Sequence, residues 1–469
     1  MSILDGLNLT PFEWSMSEIT SRSPMEFSLS LYCTGEIDSA LFSQAVLIAL
    51  KDQPMLQANA SVGSTHRESY WRPAADVGPV IQWLKDGESI GSGYPSDFQP
   101  IDLEHEIGFR LYGWRHTIDG QPQIELKFVF HHASCDGKGG LGLIGQSLLN
   151  YVCLLEGKPT NDSGFDNQLL LRRSGSAVGN GNIAKRIWRT LVVRPKRAAQ
   201  MLLSRPRLLT NVLEQTQELF AKPRQLCTTS LDLETTKRLG DFAKSHGTTT
   251  NIVLARELFH TLNEDLKSAN VIDDVNDKRN FRVLIPFSLR DESHLRMPAA
   301  NCVSMAYLEA RQELLEQDSN ENPVLLQDLT RQLAFVRRWN LQYSWIESIE
   351  EFAKFWPLIK LFRRRKKSET DVQSSERPIA TTVMTNLGRV FHGHSIERDG
   401  PGGRVKCGPL KVDTVHVALP LKTTITISFG VNFYRNRLTL DLAYLPSVVS
   451  EERALRLLDN WRRRLERPM

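Results

Sequence analysis

Residues 124–157 of this 469-residue chain, IELKFVFHHASCDGKGGLGLIGQSLLNYVCLLEG, decide what kind of fold the sequence encodes. Apolar residues alternate at the start of the stretch and recur at helical spacing at its end, which predicts a strand followed by a helix. Between these elements, Gly137, Gly139 and Gly142 form the pattern G-x-G-x-x-G, which also occurs in dinucleotide-binding turns. A pair of adjacent histidines stands just before the glycines. The stretch is therefore either a nucleotide-binding turn or a histidine site at the start of a helix.

The sequence that follows argues against a nucleotide-binding turn. Such a turn needs a second strand after its helix, with an acidic residue about 20 residues further on to bind the ribose. Glu156 lies at about that distance, but it ends the predicted helix and is followed by the loop-forming sequence GKPTNDSGFDNQ. The phosphate-binding pattern G-x-x-x-x-G-K-[ST] is absent from the sequence. The glycines therefore indicate the start of a helix.

The two histidines differ in the face of the strand that they occupy. His132 shares a face with the apolar residues of 124–130, whereas His131 points to the opposite face. A histidine that extends an apolar face at the end of a strand lies in a partly dry pocket, where a neutral imidazole can act as a general base. An isolated histidine is more often a core residue, but two adjacent histidines, Asp136 and a helix-start glycine together favour a catalytic site.

The heptapeptide HHASCDG (131–137) resembles the H-H-x-x-x-D-G motif of the chloramphenicol acetyltransferase-like superfamily, which includes condensation domains, wax ester synthases and polyketide-associated acyltransferases. Further segments are similar to those of the superfamily in the same order: 35–61, 248–262, IPFSLR (285–290), NCVS (301–304) and TNLG (385–388). The resemblance extends over about residues 8–465. It implies an α/β fold of two lobes, each a mixed sheet flanked by helices, with an active-site channel between them.

The resemblance also implies roles for the residues of the motif. In the superfamily, the second histidine takes a proton from an acceptor hydroxyl or amine, which then attacks an acyl thioester. His132 is then the catalytic base, and His131 supports its setting. Asp136 is expected to form a structural ion pair with Arg290 of the other half, and it can also cap the helix that begins at Gly137.

Stabilisation of the oxyanion is expected from the N–H of Gly137 or from groups near Asn386 or Ser428, which we place in the substrate channel. The plant-type motif D-F-G-W-G is represented only by SFGVN at 428–432, so the details of that loop do not carry over. The resemblance implies neither a metal nor a bound cofactor, because an acyl-CoA or acyl carrier protein thioester supplies the activation.

The predicted function is transfer of an acyl group from a thioester to a hydroxyl or amine acceptor. Two alternatives remain open at this point: a free-standing condensation domain that forms amide bonds, and a non-catalytic binding protein on the same fold. Other reactive residues have simpler explanations. His392 and His394 lack a third metal ligand and are interpreted as a loop pair, and Ser134 and Cys135 are interpreted as packing residues.

The chain is too long for one ordinary core, and we divide it into a first lobe at 1–160, a basic connecting segment at 161–224 and a second lobe at 225–469. Residues 183–207 hold eight Lys/Arg and residues 360–367 hold six, with no acid in either segment. Without these fourteen basic residues, the chain has 58 − 14 = 44 basic and 54 acidic residues, so the rest of the chain is acidic. A charge concentrated in two segments, without a recognisable module, disfavours nucleic acid as a partner.

The two basic segments resemble interfacial membrane anchors. In 183–193, Ile183, Ile187 and Leu191 recur at helical spacing beside basic residues, and in 352–367 an apolar stretch runs into a basic cluster. The alternatives are a pair of solvated basic segments and a docking site for an acidic carrier protein. The N-terminus has no secretory signal, no apolar stretch is long enough to span a bilayer, and the six cysteines are scattered. These features predict a cytoplasmic protein that can bind peripherally to the inner face of the membrane.

Overall fold

The computed structural model of the protein describes residues 3–4, 6–20, 22–74, 78–84, 99–118, 121–160, 164–174, 187–210, 219–220, 222–268, 279–351, 378–392 and 395–467. The named helices are α1 (Pro11–Thr20), α2 (Ser39–Lys51), α3 (Gly137–Leu155), α4 (Arg194–Leu203), α5 (Leu233–Ser245), α6 (Thr250–Ser268), α7 (Gln312–Gln317), α8 (Val324–Arg338) and α9 (Glu451–Glu466). The strands are β1 (Glu26–Thr34), β2 (Ala58–Ser61), β3 (Tyr70–Pro73), β4 (Val80–Leu84), β5 (Phe109–Ile118), β6 (Gln121–His131), β7 (Gln225–Ser230), β8 (Phe281–Ser288), β9 (Val303–Ala310), β10 (Thr382–Arg389), β11 (Val405–Cys407), β12 (Leu410–Ala418), β13 (Ile427–Tyr434) and β14 (Arg437–Tyr444).

The strand predicted at 124–130 lies in β6, in the sheet of the first lobe. The order of this sheet is β11-β12-β1-β6-β5-β4, and β6 pairs antiparallel with both β1 and β5. Alternate residues of β6, such as Leu126 and Phe128, are fully buried in a core that includes residues of α2 and α3. Burial of one apolar face of a sheet under helices is the arrangement that the alternation predicts.

Two strands of this sheet come from the second half of the sequence. β12 pairs antiparallel with β1, with Leu29 opposite Val417, and β11 covers the outer edge of β12. The sheet therefore draws strands from both sides of the predicted boundary at residue 225. Without β12, strand β1 would present unpaired N–H and C=O groups at an open edge, so the pairing has a clear physical reason.

The second sheet has the order β7-β14-β13-β10-β8-β9. β10 is parallel to β13 and β8, whereas the other neighbouring strands are antiparallel. Residues of α5, α6 and α9 pack on its apolar face, where the rings of Phe429 and Trp461 lie 5.2 Å apart. The described residues thus form two six-stranded mixed sheets flanked by helices, which confirms the predicted two-lobed α/β fold.

The predicted basic segments lie only partly within the described residues. Residues 352–367 and 183–186 lie outside them, and the part from 187 to 207 contains α4 and the turn of helix that precedes it. This part lies beside β9, because Val193 packs in a small cluster with Ala306. Across the stretches that the structure describes, no helix is both long enough and apolar enough to cross a bilayer.

Candidate active site

His131, the first histidine of the motif, is fully buried and holds the end of β6 against α1. Its Nδ1 accepts a hydrogen bond from the N–H of Ala133 at 3.2 Å, and its Nε2 lies 2.8 Å from Thr20 Oγ1. The Thr20 hydroxyl donates to the Met16 carbonyl at 2.9 Å, so Nε2 of His131 carries the proton and donates to Thr20. Burial, and then the neighbouring His132, lower the pKa of His131 to about 3, so this imidazole is neutral and supports the site.

His132, the second histidine, is fixed through its backbone and presents its ring to a cavity between the lobes. Its N–H donates to the Met25 carbonyl at 2.8 Å, and its carbonyl accepts from Asn301 Nδ2 at 2.7 Å. The ring packs against Phe27 with 5.1 Å between the ring centroids. Nδ1 is enclosed and has no hydrogen-bond partner among the described residues, which leaves Nε2 as the nitrogen available to a molecule in the cavity.

The protonation of His132 is controlled mainly by burial. Burial lowers its pKa below the ordinary value, and the nearby Lys422 ammonium lowers it further. The pKa of His132 is raised in turn by the backbone carbonyls of His132 and Cys135 and by the Asp136 carboxylate. Neither carbonyl makes a hydrogen bond with Nδ1. Because the net shift is downward, the imidazole is neutral at pH 7 and can accept a proton.

Asp136 joins the two halves of the chain. Its Oδ1 accepts from the N–H of Gly139 at 2.8 Å and so caps α3, while Oδ2 lies 2.5 Å from Arg290 Nη1. Oδ2 also accepts from the N–H of Cys302 at 2.9 Å, and Arg290 Nη2 donates to the carbonyl of Ala300 at 3.0 Å. The structure thus brings the predicted partners together, and Asp136 has both of the roles considered from the sequence.

Gly137 lies at the first turn of α3, directly against the second lobe. A Cβ atom at this position would lie 2.5 Å from Leu387 Cδ2, so glycine allows the helix start to approach β10. The N–H of Gly137 makes no hydrogen bond to another described residue, and the residue lines the same cavity as His132. An unpaired N–H at the positive end of a helix is suited to stabilise an oxyanion.

The cavity that contains His132 has a volume of about 150 Å³ and is lined by both halves of the chain. Most of its wall is apolar, and part of that wall comes from α1 and from the helical segment 344–351. Its polar and charged lining residues are Ser15, His132, Asp136, Lys138, Ser288, Thr385, Asn386 and Lys422. A dry, mainly apolar site with one unpaired imidazole suits proton transfer between bound molecules.

The two residues that the sequence placed in the substrate channel have different positions. Asn386 lines the cavity, where its Nδ2 donates to Asn251 Oδ1 at 2.6 Å and its Oδ1 accepts from the N–H of Gly388 at 2.7 Å. Ser428 is fully buried in β13 beside Val383, and it does not line this cavity. Val383, its neighbour on the adjacent strand β10, lines the cavity, so the expected position of Ser428 in the channel is replaced here by Val383.

Several residues of the cavity wall carry no signal in the sequence. Phe12 and Met16 come from α1, and Trp345 comes from the segment 344–351, far from the motif in sequence. They read as ordinary apolar helix residues, and only the fold brings them to the site. Lys422 has a weak signal, because it interrupts the otherwise apolar run that follows β12.

The remaining motif residues are packed in the interior. Cys135 is fully buried, its Sγ donates to the Asp136 carbonyl at 3.1 Å, and burial raises the pKa of its thiol well above the ordinary value. The Ser134 side chain is buried, and a Cβ on Gly108 would lie 2.1 Å from its Oγ. His394 lies outside the described residues, and no group of three or more potential metal ligands occurs in the described part of the chain.

A second concavity, which we call the basic groove, lies beyond the end of β10 and has a volume of about 880 Å³. Its charged and titratable lining residues are Lys237, Asp241, Lys244, Arg389, His392, Arg398 and Arg435. The start of α6 also lines the groove, and the buried Thr249 hydroxyl there has no hydrogen-bond partner among the described residues. Leu387 lines the cavity and the next residue, Gly388, lines the groove.

Comparison with solved structures identifies the fold. The TRI3 trichothecene 15-O-acetyltransferase from Fusarium sporotrichioides matches with a TM-score of 0.63 and 11% identity, over 98% of this chain and 95% of that chain. The starter condensation domain of rhizomide synthetase, in complex with C8-CoA and Leu-SNAC, matches with a TM-score of 0.61 and 14% identity, over 98% and 93%. The first condensation domain of the calcium-dependent antibiotic synthetase matches with a TM-score of 0.60 and 14% identity, over 98% and 95%.

The chain therefore has the two-lobed fold shared by condensation domains and chloramphenicol acetyltransferase-like enzymes, and the resemblance inferred from HHASCDG is confirmed at the level of the fold. No protein-family model matches the sequence, and no curated protein matches it significantly. Identities of 11–14% establish a common fold, so the function has to be argued from the site of this chain.

Proposed function

We propose that this protein is an acyltransferase that moves an acyl group from a thioester to a hydroxyl or amine acceptor, with His132 as the general base. The observation that carries the proposal is the neutral, unpaired imidazole of His132 in an apolar cavity between the lobes. Such an imidazole can take a proton, and the apolar wall excludes competing water. The acetyltransferase and the condensation domains of the same fold support this proposal.

In the proposed reaction, His132 removes the proton from the acceptor oxygen or nitrogen as that atom attacks the thioester carbonyl. A C–O or C–N bond forms, and the carbonyl oxygen becomes an oxyanion that the N–H of Gly137 stabilises. The intermediate collapses with cleavage of the C–S bond, and His132 returns the proton to the leaving thiolate. The thioester is itself activated, so each step uses only groups of the two substrates and of the cavity.

The basic groove supports acyl-CoA over a carrier protein as the donor. CoA carries several phosphate charges, and the groove offers Lys237, Arg389 and Arg435 together with the positive end of α6. The groove begins one residue beyond Leu387, so the phosphates can bind there while the acyl arm reaches the cavity. We place this chemistry in the cytoplasm, because all six cysteines are free thiols, as is usual in a reducing compartment.

The test is turnover of acyl-CoA of different chain lengths with panels of alcohols and amines, measured as release of free thiol and as product mass. His132→Ala should reduce transfer by about 10²–10⁴-fold, because general-base catalysis contributes on that order. His105→Ala is the control, because His105 is exposed on a loop outside the cavity. Full activity of His132→Ala would refute its role as the base.

The same experiment separates the alternatives. Turnover with amines and a carrier-bound acyl group, but not with acyl-CoA, would identify an amide-forming condensation domain. Absence of turnover with every donor, with retained binding of acyl-CoA, would identify a binding protein on this fold. Replacement of Arg389 by alanine should raise the KM for acyl-CoA by roughly tenfold, as expected for loss of one charged contact.

A further inference from the structure

The helix at 187–203 exposes a row of large apolar side chains to solvent. We call Ile187, Trp188, Leu191, Val192 and Leu203 the apolar stripe. Leu191 is 70% exposed and Leu203 is 85% exposed, and the Trp188 side chain is more than half exposed. Single exposed apolar residues are common on protein surfaces, but a row of them on one helix marks an interaction surface.

The three arginines of this helix contact the protein, and only Lys196 among its basic residues is exposed, which differs from the expectation for an electrostatic anchor. Arg189 pairs with Glu347, and Arg194 Nη1 lies 2.9 Å from Glu351 Oε1. The Arg197 guanidinium lies 3.9 Å above the ring of Tyr307. These arginines hold the helix on the second lobe, and the large side chains that face solvent are mainly apolar.

The apolar stripe is also connected to the candidate active site. Glu347 belongs to the helical segment 344–351, which carries Trp345 of the cavity wall two residues earlier. The helix that bears the stripe is therefore clamped directly to one wall of the cavity. That wall is apolar, whereas the basic groove lies beyond Leu387 on another wall.

We propose that the apolar stripe docks this protein on a lipid surface by inserting apolar side chains, rather than by attraction of its arginines to anionic headgroups. Amphipathic helices with Trp and Leu on one face bind at the lipid boundary in this way. Trp is well suited to this position because its ring is apolar and its N–H remains near water. Since the arginines are held in internal contacts, binding does not depend on anionic lipid.

The test is co-flotation of the full chain with vesicles of neutral phosphatidylcholine, at low and at raised salt, and with vesicles that contain anionic lipid. The wild-type chain should bind neutral vesicles, and raised salt should not release it, because apolar burial is not screened. The double variant Trp188→Gln/Leu191→Gln should bind roughly tenfold or more weakly. Leu455→Gln on α9 is the matched control, because Leu455 is exposed on a helix that packs near the opposite edge of the second sheet.

Three results would overturn the proposal. The first is that the wild-type chain does not bind to vesicles of any composition. The second is that binding requires anionic lipid and is lost at raised salt. The third is a dimer in sedimentation velocity that the double variant abolishes without any vesicle binding, which would assign the stripe to a second copy. The flotation assay does not use catalysis, so failure of the proposed transfer reaction leaves it interpretable. Urea denaturation of the double variant should match that of the wild type, which shows that it is folded.

Discussion

Arg290 Nη1 lies 2.5 Å from Asp136 Oδ2, and this contact links the start of α3 in the first lobe to the end of β8 in the second. Both side chains are largely buried, with 13% and 2% of their surface exposed. Removal of one charge from such a pair leaves the other without compensation in the interior. The pair therefore connects stability of the interface between the lobes to the geometry of the motif.

We expect Asp136→Asn to lower the free energy of unfolding by about 3–5 kcal/mol, because Arg290 then stays charged and buried without its partner. Asparagine caps helices nearly as well as aspartate, so the capping role is largely preserved. The measurement is urea denaturation. Asp232→Asn is the control, since Asp232 caps α5 by accepting from Thr235 N–H and lies outside this interface. Equal, small effects of the two variants would contradict the assignment.

The stability of the protein should fall on acidification in a way that depends on His131. In the unfolded chain a histidine binds a proton below about pH 6.5, whereas folded His131, with a pKa of about 3, stays neutral. The contribution of His131 to the stability is therefore fully present above pH 6.5 and is lost as the pH falls towards 3. Between pH 7 and 5 the loss due to this group is about 2 kcal/mol.

Urea denaturation at pH 7 and at pH 5 measures this loss. The decrease in the free energy of unfolding between the two pH values should be smaller in His131→Asn than in the wild type. His105→Asn is the control, because His105 is exposed. An equal decrease in His131→Asn and in the wild type would show that His131 is not the cause of the pH dependence.

Gly137→Ala should impair transfer more than it impairs folding. The added methyl would lie 2.5 Å from Leu387 Cδ2, so it displaces a flexible side chain towards the cavity. Overpacking of this kind costs about 1–3 kcal/mol, and we expect a loss of kcat/KM of roughly tenfold or more. The double variant Gly137→Ala/Leu387→Ala removes the clash and should recover part of the activity. Failure to recover any activity would show that the glycine acts by another route.

The acid limit of activity should depend on Lys422. This residue lines the cavity, and its charge lowers the pKa of His132. Lys422→Met removes the charge, so the pKa of His132 rises and the acidic limb of the kcat/KM profile moves to higher pH. Lys138→Met, at the other lysine of the cavity wall, provides the control. An acidic limb that stays in place in Lys422→Met would exclude this coupling.

The centre of the site was predictable because its residues are close in sequence. His131, His132, Asp136 and Gly137 lie at the junction of one strand and one helix, and strand alternation alone gave His132 the apolar face. Arg290 was identified through the resemblance of IPFSLR to a segment of the superfamily.

The rest depends on contacts between distant segments. No pattern in the sequence specifies that β12 is the neighbour of β1. The sequence places Ser428 on a strand near the site, but it does not show that its neighbour Val383 lines the cavity while Ser428 is fully buried outside the lining. Phe12 and Trp345 lacked any signal, since apolar residues on helices usually belong to a core.

The crossing of β12 into the first sheet has a consequence for how the molecule can be divided. Beside β1, this strand also contacts the second sheet, where His416 Nδ1 lies 2.8 Å from Asp441 Oδ1 and Asn432 Nδ2 donates to the Val415 carbonyl. A fragment that ends before residue 225 would expose the backbone edge of β1 to any strand in its surroundings. We therefore expect the two lobes to be interdependent parts of one folding unit, so that neither is stable when expressed alone.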